Sequence, residues 1–259
     1  MVVAAGRLIY PGWPIVATTC DANEPTTRPA MTNNLWYLKR CDLFERLTPE
    51  QAEHLEGRAV MRRFAKGNLI YVPSDLAHSV LVLASGRVKI KGVTPDGKEI
   101  IYAFIEPGEL FGELALVDES QRDEFAEALE ASEVLAIGRD DLFELMGTRP
   151  DVSLGITKLL GLRRKRIEMR LRNIMFRSNR QRVLGVLVEL LDSYGERLGP
   201  SWQIRLRLSH QDLASLIGAT RETVTIVLGH LQLEGFIRVK RRCITVLDRD
   251  RLIAESQAE

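Results

Sequence analysis

Long apolar runs are missing from this chain. No stretch approaches the roughly 20 residues that a helix needs to cross a bilayer, so no membrane partner is expected. The N-terminus has no clear signal-peptide core. Cysteine is scarce: Cys20, Cys41 and Cys243 are the three, and they stand far apart. An odd, scattered set argues against a disulfide framework and suits a reducing cytoplasm. It also fails the requirement of an iron–sulfur cluster for about four grouped thiolates. Histidine is nearly as rare. His54, His78, His210 and His230 fit no nucleophile or metal-ligand pattern, and no phosphate-cradling glycine motif is present. Haem would need a ligand such as His78, which reads instead as a strand-edge residue. The expectation is therefore no catalytic residue, no metal and no enzyme. Net charge is nearly absent too, at +1.

What is present is the composition of a globular protein, 45% apolar and 27% charged, in 259 residues that leave room for two domains with separate cores. The small net charge conceals an asymmetry. Residues 31–150 carry 14 Lys and Arg against 21 Asp and Glu, a net of −7. Residues 151–182 carry 10 against 2, a net of +8, and residues 183–259 carry 10 against 10. An acidic front and a basic middle fit a molecule of which only part meets a polyanion.

Residues 1–30 have no periodicity and are read as a disordered tail or a mis-assigned start, since Met31 opens a segment that looks like a protein beginning. From Leu35 to Leu55 the apolar spacing predicts short helices, one capped by Thr48 with Pro49 and Gln51 behind it. After Gly57 the pattern becomes that of strands: AVMRRFA, NLIYV, SVLVLASGRVKIKGV and EIIYAFI, with Pro95 to Gly97 as a hairpin turn, and EVLAIGRDDL closing the set. Such short strands punctuated by glycine predict an antiparallel barrel or jelly roll over residues 31–150. Pro150 then precedes a long helix to about Phe176, in a segment 151–177. Its apolar stripe, Ile156, Leu160, Ile167, Leu171 and Ile174, is interrupted by Arg163 and suits pairing with a second copy in a homodimer. Packing on its own barrel is the alternative. Arg177 to Asn179 is the expected hinge. In residues 178–259, Val183 to Tyr194 reads as an amphipathic helix, Gly195 to Pro200 as a loop and WQIRLRL as a strand.

The stretch Leu208 to Ile237 is the most informative. Ser209 caps a first helix carrying Leu213, Ala214 and Ile217 inward. Gly218 sits where a helix must end in a left-handed conformation. Thr220 caps a second helix with Val224, Val227, Leu228 and Leu231 on its apolar face, leaving Arg221, Glu222 and Thr225 outward. A helix-turn-helix that reads DNA offers those positions to base edges in the major groove. Phe236 to Leu247 then has the look of a two-strand wing whose turn carries Lys240, Arg241 and Arg242, placed to touch phosphate.

This order of parts resembles the cyclic-AMP receptor/fumarate-nitrate regulator family of bacterial transcription factors. The likeness spans about Leu35 to Leu247 and rests on SGRVKI, PGELFGELAL and LSHQDLASLIGATRETV. It implies an α+β fold: an N-terminal cyclic-nucleotide-binding-type β-roll, a long dimerisation helix and a C-terminal winged helix-turn-helix. It also implies a homodimer on a near-palindromic site in double-stranded DNA, acting with RNA polymerase. By resemblance Arg221 and Glu222 match base readers, and His210, Gln211, Thr220 and Thr223 match phosphate contacts. Ile226 departs from the family's usual basic residue and at best touches a thymine methyl, so the half-site should differ. The effector pocket departs further. Gly112, Glu113 and Leu114 are present, with Glu113 in the place of a ribose-binding Glu. The positions of the phosphate-binding Arg-Ser pair, however, are Asp123 and Glu124. Arg122 is one residue early and expected to point elsewhere. Ile167 and Glu168 stand where a Thr-Ser pair would meet adenine. Carboxylates beside a phosphate, with no cation to offset them, would each cost on the order of a kcal/mol. Cyclic nucleotide is therefore not the expected cofactor, and Glu113 is assigned a structural role. The alternative is a regulator dependent on a cyclic nucleotide or another small ligand.

Overall fold

A computed structural model of the chain describes residues 47–117 and 121–258. The segment 1–30, Met31, Cys20 and Cys41 lie outside the described residues. Thr48 and Gln51 form a reciprocal capping box (3.3 and 3.2 Å) that opens α1 (Pro49–Arg58), with proline at the first turn where a missing N–H leaves nothing unpaired. Eight strands follow: β1 (Val60–Phe64), β2 (Leu69–Tyr71), β3 (Ser79–Ser85), β4 (Val88–Val93), β5 (Glu99–Ile105), β6 (Leu110–Phe111), β7 (Phe125–Ala128) and β8 (Ser132–Gly138). They pair antiparallel in two four-stranded sheets, ordered β1-β8-β3-β6 and β2-β7-β4-β5. Tyr71, Val88 and Ile105 from one sheet and Leu83, Phe111 and Val134 from the other meet in a shared core, which makes the unit a β-roll.

β3 and β8 are buried on both faces, and for that reason VLVLA and VLAI are continuously apolar instead of alternating. Their outer face is covered by α1, α2 (Arg139–Thr148) and the first turns of α3 (Pro150–Phe176), through Leu55, Leu142, Leu145, Val152 and Ile156. β7 is not marked by apolar periodicity, lying as it does in the acidic run Gln121–Glu130. Pairing with β2 on one side and β4 on the other holds it in place and buries Ala126 and Ala128.

The stripe expected to form a dimer seam divides. Ile156 is 4% exposed and packs in the barrel's own core, the alternative reading for that position, and partly buried Leu160 packs against the same core. The barrel's outer sheet has an apolar face that these early turns must cover. Ile167, Leu171 and Ile174, farther along, stay exposed.

After Arg177 and Ser178 the chain enters α4 (Asn179–Tyr194), opened by a second capping box between Ser178 and Gln181. Then come β9 (Gly195–Leu198), β10 (Ser201–Ile204), α5 (His210–Ile217), α6 (Arg221–Leu233), β11 (Ile237–Lys240), β12 (Cys243–Val246) and α7 (Arg249–Gln257). The strands form one sheet, β11-β12-β10-β9. Gly195–Leu198, expected as loop, is a strand because it pairs back on Ser201–Ile204 across a short turn. The core of this domain gathers Leu187, Leu191, Leu213, Val224, Leu228 and Phe236, and it also takes in Ile101 and Phe104 from β5 of the roll. No helix among the described residues is long and apolar enough to cross a membrane.

Candidate functional site

Two places bring together the side chains singled out in the sequence. The first is the pair α5–α6. Ser209 accepts from Asp212 N (3.1 Å) while the Asp212 carboxylate accepts from Ser209 N and Oγ (2.9 and 2.6 Å), which fixes the start of α5. Gly218 ends that helix at φ 65°, in the left-handed region, with its N–H on Ala214 O. Thr220 then accepts from Thr223 N (3.2 Å) to start α6. Ala214 and Val224 are fully buried where the helices cross, while Arg221, Glu222, Thr225 and Ile226 are outward and exposed. Neither the Arg221 nor the Glu222 side chain takes part in an ion pair or hydrogen bond among the described residues. His210 is turned toward α6, its Nδ1 2.8 Å from Thr225 Oγ1, and Gln211 lies exposed beside it.

The wing completes this surface. Lys240 pairs with Cys243, so Arg241 and Arg242 alone form the turn, at φ 48° and 66°. Positive φ at both central residues is the geometry of the tight hairpin turn that normally takes Asn-Gly. Two exposed arginines therefore stand in a backbone conformation that is unfavourable for side chains with a Cβ.

The second place is the interior edge of the β-roll. Gly112, at φ 68°, caps the short 3-10 helix Glu113–Leu116, and a Cβ there would come within 2.7 Å of Arg122 Nη1. Arg122 is buried, not pointed away: it donates to Gly112 O (2.7 Å) and Ser79 O (2.5 Å), and its guanidinium lies 4.6 Å over the Tyr71 ring. In the segment leading into β7, Arg122 is buried and Glu124 partly so, with Asp123 exposed between them. Glu124 accepts from Tyr71 Oη (2.7 Å), and burial pushes its carboxyl above the ordinary range. Burial, reinforced by Glu124, likewise holds the Tyr71 phenol well above its usual value. Glu113, 7% exposed, is ion-paired with Arg163 of α3, which also donates to Leu110 O (2.6 Å). Leu114, Ile167 and Glu168 are not part of this cluster's interior. All three are exposed, and Glu168 pairs with Arg164 one turn away (2.7 Å).

Sequence reasoning missed Tyr71 and Arg163. The signal for Arg163 was there, as the one basic residue breaking an apolar stripe; Tyr71 sat unmarked in an ordinary strand. Also unforeseen is the junction of the two domains. Lys89 Nζ, nearly buried, lies 3.6–3.7 Å from Glu99 and Glu127 of the roll and from Asp212, the capping residue of α5. Arg170 ties Ile101 O and Tyr102 O (3.2 and 2.9 Å) to Glu189 (2.7 Å). A group of His54, Asp141 and Glu144 has metal-ligand spacing, but Arg58 already sits in it, 2.5 Å from Asp141 and 3.4 Å from His54.

A β-roll joined through a long helix to a winged helix-turn-helix defines a class: the two-domain transcription regulator with an N-terminal barrel. Residues 61–149 match the cyclic nucleotide-binding domain and residues 181–255 the Crp-like helix-turn-helix domain. The cyclic AMP receptor protein of Thermus thermophilus is 36% identical over 202 residues, covering 78% of this chain and 90% of that protein. The global nitrogen regulator of Synechocystis is 32% identical, covering 72% of this chain and 84% of its own length. A crystal structure of a CRP-family transcriptional regulator, also from Thermus thermophilus, superposes with a TM-score of 0.64 at 25% identity, over 76% of this chain and 97% of that one. The chain belongs to the cyclic-AMP receptor/fumarate-nitrate regulator family, and like its relatives it is a helix-turn-helix transcription regulator and not an enzyme.

Proposed function

We propose that this protein is a homodimeric, sequence-specific DNA-binding regulator that does not respond to cyclic AMP. One observation carries the DNA-reading part: Arg221 and Glu222 are exposed, without side-chain partners among the described residues, at the capped start of a helix whose inner face is locked in the core. Arg221 can bond bidentately to guanine and Glu222 can accept from a cytosine amine. Gln211, Thr220, Thr223 and the Lys240–Arg242 wing hold phosphates and set the register. Exposed Ile167, Leu171 and Ile174 support a two-fold seam along α3 (53%, 56% and 42% exposed). A two-fold dimer in turn calls for a near-palindromic operator, with RNA polymerase as the partner at the promoter. Selection of bound DNA from a random pool, followed by Arg221→Ala against the selected site, tests this reading. Undiminished affinity would show that α6 is not the reading helix.

Independence from cyclic AMP is supported by the closed cluster in the roll. The Arg122 guanidinium nitrogens Nη1 and Nη2 are engaged by carbonyls, Glu113 is neutralised by Arg163, and Glu124 faces inward where a phosphate would need a cation. Calorimetry with cyclic AMP and cyclic GMP tests it; micromolar binding would overturn it. A second reading, control by a different small ligand, is favoured by a cavity of about 460 Å³ at the mouth of the roll, lined by Arg62, Phe64, Tyr71, Leu76 and Arg122.

A further inference from the structure

The hydroxyl of Thr225 is engaged twice within the protein. It donates to Arg221 O (2.8 Å) one turn back, and it meets His210 Nδ1 of the first helix (2.8 Å). A hydroxyl has one hydrogen, so with that hydrogen on Arg221 O the imidazole must be the donor, and His210 carries a proton on Nδ1. The hydrogen and one of the two lone pairs of the Thr225 oxygen are thus used within the protein, and the methyl is the apolar group this exposed residue can offer a base. Its neighbour Ile226 is 60% exposed and wholly apolar. Arg221 and Thr225 stand in one row at i, i+4, and Glu222 and Ile226 in the next, so the face has a charged end and an apolar end.

In the major groove the apolar feature that distinguishes a base pair is the C5-methyl of thymine. We propose that Thr225 and Ile226 act together as a reader of thymine methyls, with His210 as a positioning residue that keeps the Thr225 hydroxyl away from the bases. Each half-site then carries T·A pairs beside the pairs read by Arg221 and Glu222. Cytosine, which lacks the C5-methyl, offers these two side chains no apolar contact there. With Nδ1–H held on Thr225, Nε2 can donate to a phosphate as well only when the ring is the doubly protonated imidazolium. This inference rests on α6 being the reading helix.

The test uses the full-length protein and its selected operator, with thymines replaced one at a time by deoxyuridine, which deletes only the methyl. Binding is followed by fluorescence anisotropy at one salt concentration. At one or two thymines per half-site the wild type should lose roughly threefold to fivefold in affinity per methyl, the scale of one buried methylene. The double variant Thr225→Ser/Ile226→Ala should be indifferent to the same replacement. His210→Ala should shrink the thymine-to-deoxyuridine ratio, and His210→Asn, whose amide can donate to the same oxygen, should restore it. A purely structural role of His210 would lower overall affinity and leave that ratio alone. If Arg221→Ala loses the operator while no thymine methyl matters to the wild type, the methyl-reading proposal is overturned and the reading helix stands. If Arg221→Ala binds normally, both fall together.

Discussion

The start of α6 and the inner edge of the β-roll carry the same kinds of side chain, arginine beside glutamate, in opposite states. On α6 Arg221 and Glu222 have no side-chain partner among the described residues and face solvent. In the roll Arg163 pairs with Glu113, Arg122 is bound to two carbonyls, and Glu124 is held by Tyr71. Charges left unpaired on a rigid element are available to an external partner, whereas charges satisfied inside a barrel serve as structure. The residue types are alike, and the partners around them decide which they become.

Four experiments would break or sharpen that contrast. The largest effect is expected from Arg163→Met, which strands Glu113 without its cation in a buried position. Stability should fall by about 3 kcal/mol in a urea melt, and adding Glu113→Gln should recover most of it. A loss no larger than that of a surface ion pair would mean the roll's charges are not internally committed. Next, Arg221→Ala should weaken operator binding by roughly 1–3 kcal/mol with little change in melting, the reverse of the Arg163 result.

The wing gives a smaller and two-sided effect. Replacing Arg241→Asn and Arg242→Gly relieves the positive-φ turn, so the melt should show a gain of about 1 kcal/mol. The same change should lower the slope of log affinity against log salt by about 2, one for each phosphate contact. Unchanged salt dependence would remove the wing from the DNA interface. The smallest effect concerns pH. Burial raises the Glu124 carboxyl above its unfolded value, so its contribution is present below the ordinary glutamate range and is lost as pH rises through the raised value. Glu124→Gln can still accept from Tyr71 Oη and cannot ionise. It should stabilise the protein more at pH 8 than at pH 5, and equal gains at both would count against the assignment. Glu109, also raised by burial, leaves a residual pH dependence in the variant.

Local structure was largely legible. The caps at Thr48, Ser209 and Thr220, the left-handed Gly218 and the hairpin at Pro95 to Gly97 follow from short-range chemistry, and each is found where the residues put it. What escaped was set by distant partners. β7 lies in an acidic run and is a strand only because β2 and β4 flank it. Gly195–Leu198 is a strand because β10 folds back on it. Ile156 turned from seam to core because the sheet beneath it needed covering.

The sequence by itself determined the order of parts, the capped helix pair with Arg221 and Glu222 outward, and the wing with its basic turn. These depend on hydrogen bonds within four residues and on apolar period, which a linear chain displays directly. Only the tertiary structure decided that Arg122 and Arg163 close the roll from within, that His210 holds the Thr225 hydroxyl, and that Lys89 meets the cap of α5. Each is a pairing of polar groups distant in sequence (15 residues for His210 and Thr225), and burial makes such groups take whichever partner the fold brings near.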